Sequence, residues 1–119
     1  FAKQQQQCCI RRNPKSDISE AQALQQVFAS TNVPVTGFKW SMGHTICASG
    51  VVDAVLASYA LRHQSIPGIP GLEHLAPDCQ MLHVTPEAQT LHSDKPYALV
   101  LNRGYASMNA CLVIKSCDH

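Results

Sequence analysis

The chain has 119 residues, of which 45% are hydrophobic and only 14% are charged, and its formal net charge is +1. This length allows one domain with a modest core. Lys and Arg are thinly scattered apart from Arg11-Arg12, which excludes an extended phosphate-binding face and makes nucleic acid an unexpected partner. The sequence shows no signal peptide and no apolar run of about 18 residues, so we expect neither export nor a membrane span.

The six cysteines follow neither a disulfide pattern nor a metal-binding pattern. Cys8 and Cys9 are adjacent, Cys47 falls in a predicted helix, and Cys111 and Cys117 fall in a strand-like ending. No C-x-x-C pair or matching histidine spacing indicates zinc. We therefore expect reduced thiols that serve as small apolar fillers, a cytoplasmic location, no metal and no other cofactor.

The first predicted helix follows a polar, irregular start. Residues 1–16 indicate a frayed beginning and a loop, because Asn13-Pro14 opposes helix formation. Asp17–Ala29 then carries apolar residues at helical spacing, and Asp17 with Glu20 resembles a capping arrangement. We accordingly expect the folded domain to occupy residues 17–119.

A tight turn precedes the strongest helix signal in the chain. Val33–Phe38 favours a short strand that leads to Gly43, and Thr45–His63 has helical periodicity. The apolar residues that we assign to the buried face of this helix are Ala48, Val51, Val52, Val55, Leu56, Tyr59 and Ala60.

Lys39 and His44 lie at this strand-to-helix turn. A helix N-terminus disfavours a protonated imidazole, and a neutral imidazole can form a hydrogen bond with a carbonyl-derived oxygen. The turn is therefore a candidate site. The alternative is that His44 only caps the turn.

The rest of the chain predicts a proline-rich loop and then short strands. Pro67–Asp78 breaks regular structure. Gln80–Thr85, Tyr97–Leu101 and Ala110–Lys115 are strand candidates, the last two as a buried pair around the turn Asn102–Asn109. Helices that alternate with strands predict an α/β layered fold with a mixed sheet and packed helices.

Several ordered motifs resemble those of the β-ketoacyl-acyl-carrier-protein synthases, the condensing enzymes of fatty-acid and polyketide synthesis. Lys39–Gly50 is similar to the family's K-x-x-x-G-H-x-x-G-A-A-G motif, and Asp53 stands where the family has a glutamate that pairs with the lysine. Leu61–Cys79 is similar to its proline-rich connection, and Leu101–Val113 to its N-S-F-G-F-G-G-T-N-A-x-L-V ending. The resemblance implies the C-terminal half of a thiolase-like α/β fold.

One catalytic position of the family is altered in this chain. The family loop H-G-T-G-T carries the second histidine of the active-site pair, and its place falls on Cys9 when the residues are counted back from Glu20. No histidine occurs before His44, so a shift of register does not restore it.

The gating loop of the family is altered as well. Its counterpart here keeps Gly104 and Asn109. The changed positions are Arg103 and Tyr105, which stand where the family has phenylalanines, and Ala106 and Ser107, which replace a Gly-Gly pair. Because a Cβ makes positive φ costly, we expect a loop that is stiffer or differently folded but retains its turn.

The resemblance implies that His44, and Lys39 paired with Asp53, are the catalytic groups that remain. The family's nucleophilic cysteine belongs to the N-terminal half, so we do not expect turnover by this chain alone. We favour a non-catalytic subunit, similar to a chain-length factor, that forms a heterodimer with an active ketosynthase and works with an acyl carrier protein. It would be completed by an N-terminal half, by a ketosynthase subunit, or by both. Two alternatives are the C-terminal fragment of an active synthase and an interaction module without acyl chemistry.

Overall fold

A computed structural model describes residues 14–28, 33–43, 45–75, 77–80, 82–91, 97–104, 106 and 108–117. Its helices are α1 (Pro14–Phe28), α2 (Lys39–Met42) and α3 (Ser49–His63), with 3-10 turns at Ile46–Ala48 and Pro77–Cys79. Its strands are β1 (Ser65–Ile66), β2 (Gln89–Thr90), β3 (Tyr97–Arg103) and β4 (Asn109–Lys115). The predictions made for Cys9, His44, Tyr105 and Ser107 lie outside the described residues.

The first helix is present but begins earlier than expected. α1 starts at Pro14, because proline has a suitable φ for the first helical turn and its missing N–H needs no partner there. The predicted loop up to Ser16 and the capping position of Asp17 were therefore wrong. Ala21 and Leu24 of α1 are buried in a core cluster that is completed by Val35, Cys79, Leu82 and Val84.

The segment before α3 forms less strand than predicted. Pro34 makes an isolated parallel bridge with His83, and the Val35 N–H donates to the His83 carbonyl oxygen at 2.9 Å. The predictions of full strands at Val33–Phe38 and Gln80–Thr85 were wrong. The following residues form the short helix α2 instead, which ends at Gly43 with φ 70°.

Helix α3 buries a face that only partly overlaps with the predicted one, since Ala60 is buried and Leu56 packs against the core. Val51, Val55 and Tyr59 are 69%, 62% and 62% exposed. The residues that α3 buries are Ser49, Asp53, Ala57, Ala60 and Leu61. The assignment was wrong for Val51, Val55 and Tyr59, because periodicity finds an apolar stripe but does not show from which side the sheet approaches. The predicted start at Thr45 was also early, since a 3-10 turn precedes α3.

The C-terminal hairpin forms as predicted, with one difference in burial. β3 and β4 are antiparallel, with Leu99 opposite Val113 and Arg103 opposite Asn109. Ala98 and Val100 of β3 are buried in the cluster that contains Ala57 of α3. The expectation that β4 is also buried was wrong, because six of its seven residues are exposed. The short antiparallel pair β1–β2 gave no signal in the sequence.

The described cysteines differ in their surroundings. Cys79 is buried in the core beside α1, as expected of a small apolar filler. Cys47, Cys111 and Cys117 are exposed, so the same expectation was wrong for them.

Candidate functional site

The backbone on both sides of His44 has unusual dihedral angles. Gly43 has φ 70° and Ile46 has φ 49°. A positive φ is rare for a β-branched residue such as Ile46, and strained backbone of this kind is concentrated at functional sites in proteins. The positive φ values before α3 therefore support a functional role for this turn.

Lys39 and Asp53 line the same small cavity, between α2 and the start of α3. Thr45 and Ser49 also line it. Asp53 is only 3% exposed, and no described group donates a hydrogen bond to its Oδ2. Burial raises the pKa of Asp53 from 3.8 to about 6, although the positive charge of Lys39 lowers it. Asp53 therefore exchanges a proton close to neutral pH.

The hydroxyl groups of Thr45 and Ser49 at this cavity were not predicted from the sequence. Thr45 Oγ1 and Ser49 Oγ form a hydrogen bond of 3.1 Å. The signal that could have found them is their spacing of four residues on the two sides of the 3-10 turn Ile46–Ala48. The cavity thus combines an ammonium group, a carboxyl group and a hydroxyl pair.

The turn between β3 and β4 keeps its hairpin form. Arg103 is opposite Asn109, and the Gly104 N–H donates to the Met108 carbonyl oxygen at 2.8 Å. Ala106 has φ 55°, so an alanine takes the left-handed conformation at a position where the family resemblance has glycine. The expectation that the turn persists is confirmed. Within this turn, Ala106 has the positive φ that is unfavourable for a residue with a Cβ.

A groove of about 360 Å³ lies between α1 and the hairpin. Its lining residues are Ser19, Glu20 and Ala23 from α1, Leu101, Asn102 and Arg103 from β3, and Asn109, Ala110 and Cys111 from β4. Arg103 Nη1 donates to Ser19 Oγ at 2.7 Å, and Arg103 Nε donates to Asn109 Oδ1 at 3.2 Å. Arg103 and Asn109 were predicted from the sequence, but Ser19 and Glu20 were not, because their place beside the hairpin depends on tertiary packing.

The hairpin also meets the start of α3. A Cβ added to Gly50 would lie 2.5 Å from Asn102 Nδ2, so the Asn102 side chain would have to shift to admit a larger residue there. This contact places the helix that follows Lys39 and His44 against the strand that leads into the turn. The start of α3 and the end of β3 are therefore neighbours.

The described residues contain neither a metal-binding cluster nor a membrane-spanning helix. No set of three or more His, Cys, Asp or Glu side chains among them is arranged to hold a metal ion. None of the helices in the described ranges has the length and apolarity needed to cross a bilayer.

Comparison with known proteins identifies the family. Residues 13–73 match the family described as Beta-ketoacyl synthase, C-terminal domain. The chain is 33% identical over 104 residues to the Putative polyketide beta-ketoacyl synthase 2 of Streptomyces halstedii, an alignment that covers 86% of this chain and 24% of that protein. It is 28% identical over 104 residues to the 3-oxoacyl-acyl-carrier-protein synthase 2 of Synechocystis sp., with the same coverage of 86% and 24%.

The chain belongs to the β-ketoacyl synthase family and corresponds to its C-terminal half. Its mixed helices and small antiparallel sheets are those of a thiolase-like α/β C-terminal domain, as the family resemblance implied. The described strands form two separate antiparallel pairs rather than the one mixed sheet that was predicted. The chain spans about a quarter of the length of the curated relatives it matches. Members of this family act in fatty-acid and polyketide synthesis.

Proposed function

We propose that this chain is part of a non-catalytic β-ketoacyl synthase subunit that resembles a chain-length factor and works beside an active ketosynthase in the cytoplasm. In this role it shapes the space available to a growing acyl chain, which an acyl carrier protein delivers. The ketosynthase partner supplies the thiol that carries the acyl chain as a thioester until the carbon–carbon bond forms and the thiol is released.

The observation that carries this proposal is the residue at position 9. The family resemblance places the second active-site histidine at Cys9, and the chain has no histidine before His44. A decarboxylative condensation needs donors for a developing enolate oxygen, and the loss of one imidazole removes such a donor. A subunit that only shapes the acyl space has no need of it.

The remaining site groups fit a partly retained site. Lys39 and Asp53 share one cavity, and burial holds the pKa of Asp53 at about 6. A buried charged group is costly to leave without its partner, so such a pair can be kept for the fold after catalysis is lost. His44, Lys39 and Asp53 are therefore proposed as the remains of the catalytic arrangement.

The exposed apolar residues support a large covering partner. Val51, Val55 and Tyr59 form one exposed stripe along α3, here named the α3 stripe. The relatives have about three quarters of their length outside the matched region. We propose that a complementary N-terminal half of the protein covers the α3 stripe.

The experiment is an assay of CO2 release from malonyl-acyl carrier protein by the full-length protein, alone and with its ketosynthase partner. We expect no release by the protein alone and normal release by the pair. Variants of this protein that narrow the acyl space should then shorten the product. Turnover by the protein alone would overturn the proposal.

A second candidate is the C-terminal part of an active β-ketoacyl synthase. The retention of Lys39 and an acidic residue at one cavity favours it, because a site that has lost its function has no catalytic reason to keep them. The residue at the nucleophile position of the N-terminal half separates the two candidates. A cysteine there supports the active synthase, and glutamine, alanine or serine supports the non-catalytic subunit.

A further inference from the structure

Arg103 connects three separate parts of the fold through one side chain. It lies at the end of β3, its Nε donates to Asn109 Oδ1 at the start of β4, and its Nη1 donates to Ser19 Oγ on α1. Ser19 and Arg103 are 84 residues apart in the sequence. The contact therefore joins elements that chain connectivity does not hold together.

The chemistry of arginine suits this connection. The guanidinium group is planar and its N–H groups point in fixed directions, so two hydrogen bonds to different elements define an orientation. A phenylalanine, which the family resemblance places at this position, can form neither bond. A lysine could donate to one acceptor at a time but lacks the fixed geometry.

The neighbouring contacts hold the base of the hairpin on two sides. Asn102, one residue earlier, packs against Gly50 on α3. Arg103 lines the groove of about 360 Å³ that separates the hairpin from α1. The base of the hairpin is thus held against α3 by close packing. On the α1 side it is held by Leu101, which packs on the cluster that contains Ala21 and Leu24, and by the hydrogen bond from Arg103 to Ser19.

We propose that Arg103 is a positioning residue that latches the base of the β3–β4 hairpin to α1 and fixes the width of the groove between them. The latch itself is independent of acyl chemistry, but its consequence rests on the proposed function. The resemblance implies that the loop of this hairpin is a gating loop, and a latched base holds the start and the end of that loop in one place.

The test is amide hydrogen exchange of the full-length protein at Gly104, whose N–H bonds to Met108 inside the turn. Ser19→Ala removes the acceptor on α1 and leaves Arg103 in place. We expect exchange at Gly104 to become about threefold to tenfold faster, the range for loss of one hydrogen bond of ordinary net strength. Ser19→Thr restores a hydroxyl and should return the exchange rate to that of the unaltered protein.

Ser58→Ala is the matched control, because Ser58 is also an exposed helical serine but bonds only to the Ala54 carbonyl of its own helix. It should leave Gly104 exchange unchanged. Arg103→Gln should accelerate exchange at least as much as Ser19→Ala. If the Arg103→Gln protein does not fold, the comparison of Ser19→Ala with Ser19→Thr tests the proposal. Unchanged exchange in Ser19→Ala, or no rescue by Ser19→Thr, would overturn the latch. Since the measurement uses no acyl substrate, its outcome is separate from the success or failure of the proposed function.

Discussion

Asp53 is buried beside Lys39, and the two residues show which of two opposing effects is stronger at this site. Burial favours the neutral carboxyl group, whereas a nearby ammonium favours the carboxylate. The pKa of Asp53 is raised to about 6, so burial outweighs the attraction of Lys39. The cavity therefore holds a carboxyl group that gains or loses a proton within the physiological range.

Changing Asp53 to Asn should remove a pH dependence of stability. The pKa in the folded state, about 6, lies above the value of 3.8 for a free aspartate, so the folded state binds the proton more tightly. The stability that Asp53 contributes is then fully present below a pH of about 3.8 and is lost as the pH rises through about 6. We expect the free energy of unfolding, relative to Asp53→Asn, to fall by on the order of 2–3 kcal/mol over this range.

The measurement is chemical denaturation of both proteins across this pH range. Asp78→Asn is the control, because Asp78 is an exposed aspartate on a 3-10 turn. Its difference from the unaltered protein should show no comparable fall. A stability difference for Asp53→Asn that is independent of pH would contradict the prediction.

Changing Lys39 to Gln should move the same transition to higher pH. Lys39 lowers the pKa of Asp53, so its removal leaves the effect of burial unopposed. Lys115→Gln is a suitable control, since Lys115 is exposed on β4 and lies 5.8 Å from the centre of the Tyr97 ring. Titration of the Asp53 carboxyl carbon by NMR gives the midpoint directly. An unchanged midpoint in Lys39→Gln would show that the two charges do not interact.

The sequence predicted the elements of the fold better than their packing. Periodicity located α1 and α3, and the β-favouring residues located β3 and β4. These signals come from residues that are close together in the sequence, so they can be recognised without knowledge of the tertiary structure. The proximity of Lys39 and Asp53 could also be predicted, because it followed from motif spacing and the family resemblance.

The sequence did not show which side of α3 faces the sheet. Valines at positions 51 and 55 are more apolar than Ala57, yet Ala57 is buried and the valines are exposed. A small side chain lets helix and strand approach closely, which a count of apolar residues does not measure. The contact between Ser19 and Arg103 was hidden for a related reason, since nothing local marks a pair 84 residues apart.

Changing Ala106 to Gly should stabilise the protein. Ala106 has φ 55°, a conformation that costs an L-residue with a Cβ about 1–2 kcal/mol and costs glycine little. Glycine loses more entropy on folding, so we expect a net gain of about 0.5–1 kcal/mol. Ala54→Gly, within α3, should instead destabilise by about 1 kcal/mol. Thermal denaturation checks both signs, and a loss of stability in Ala106→Gly would count against the left-handed turn.

Changing Val55 to Asp tests whether the α3 stripe is covered in the complete protein. Val55 is 62% exposed in this chain, and an exposed substitution of this kind alters stability by no more than about 0.5 kcal/mol. If a complementary N-terminal half covers the stripe, the new carboxylate is buried in an apolar interface without a partner. We then expect the full-length protein to lose about 3 kcal/mol of stability, because an unpaired charge is costly to bury.

Gln25→Asp introduces the same charge on α1, at an exposed position away from the stripe. Its effect on the melting temperature of the full-length protein should be small, which makes it the matched control. A large loss in Val55→Asp alone supports coverage by the complementary half. Equal, small effects of the two substitutions would mean that the α3 stripe faces solvent in the complete protein, and the covering half would have to be placed elsewhere.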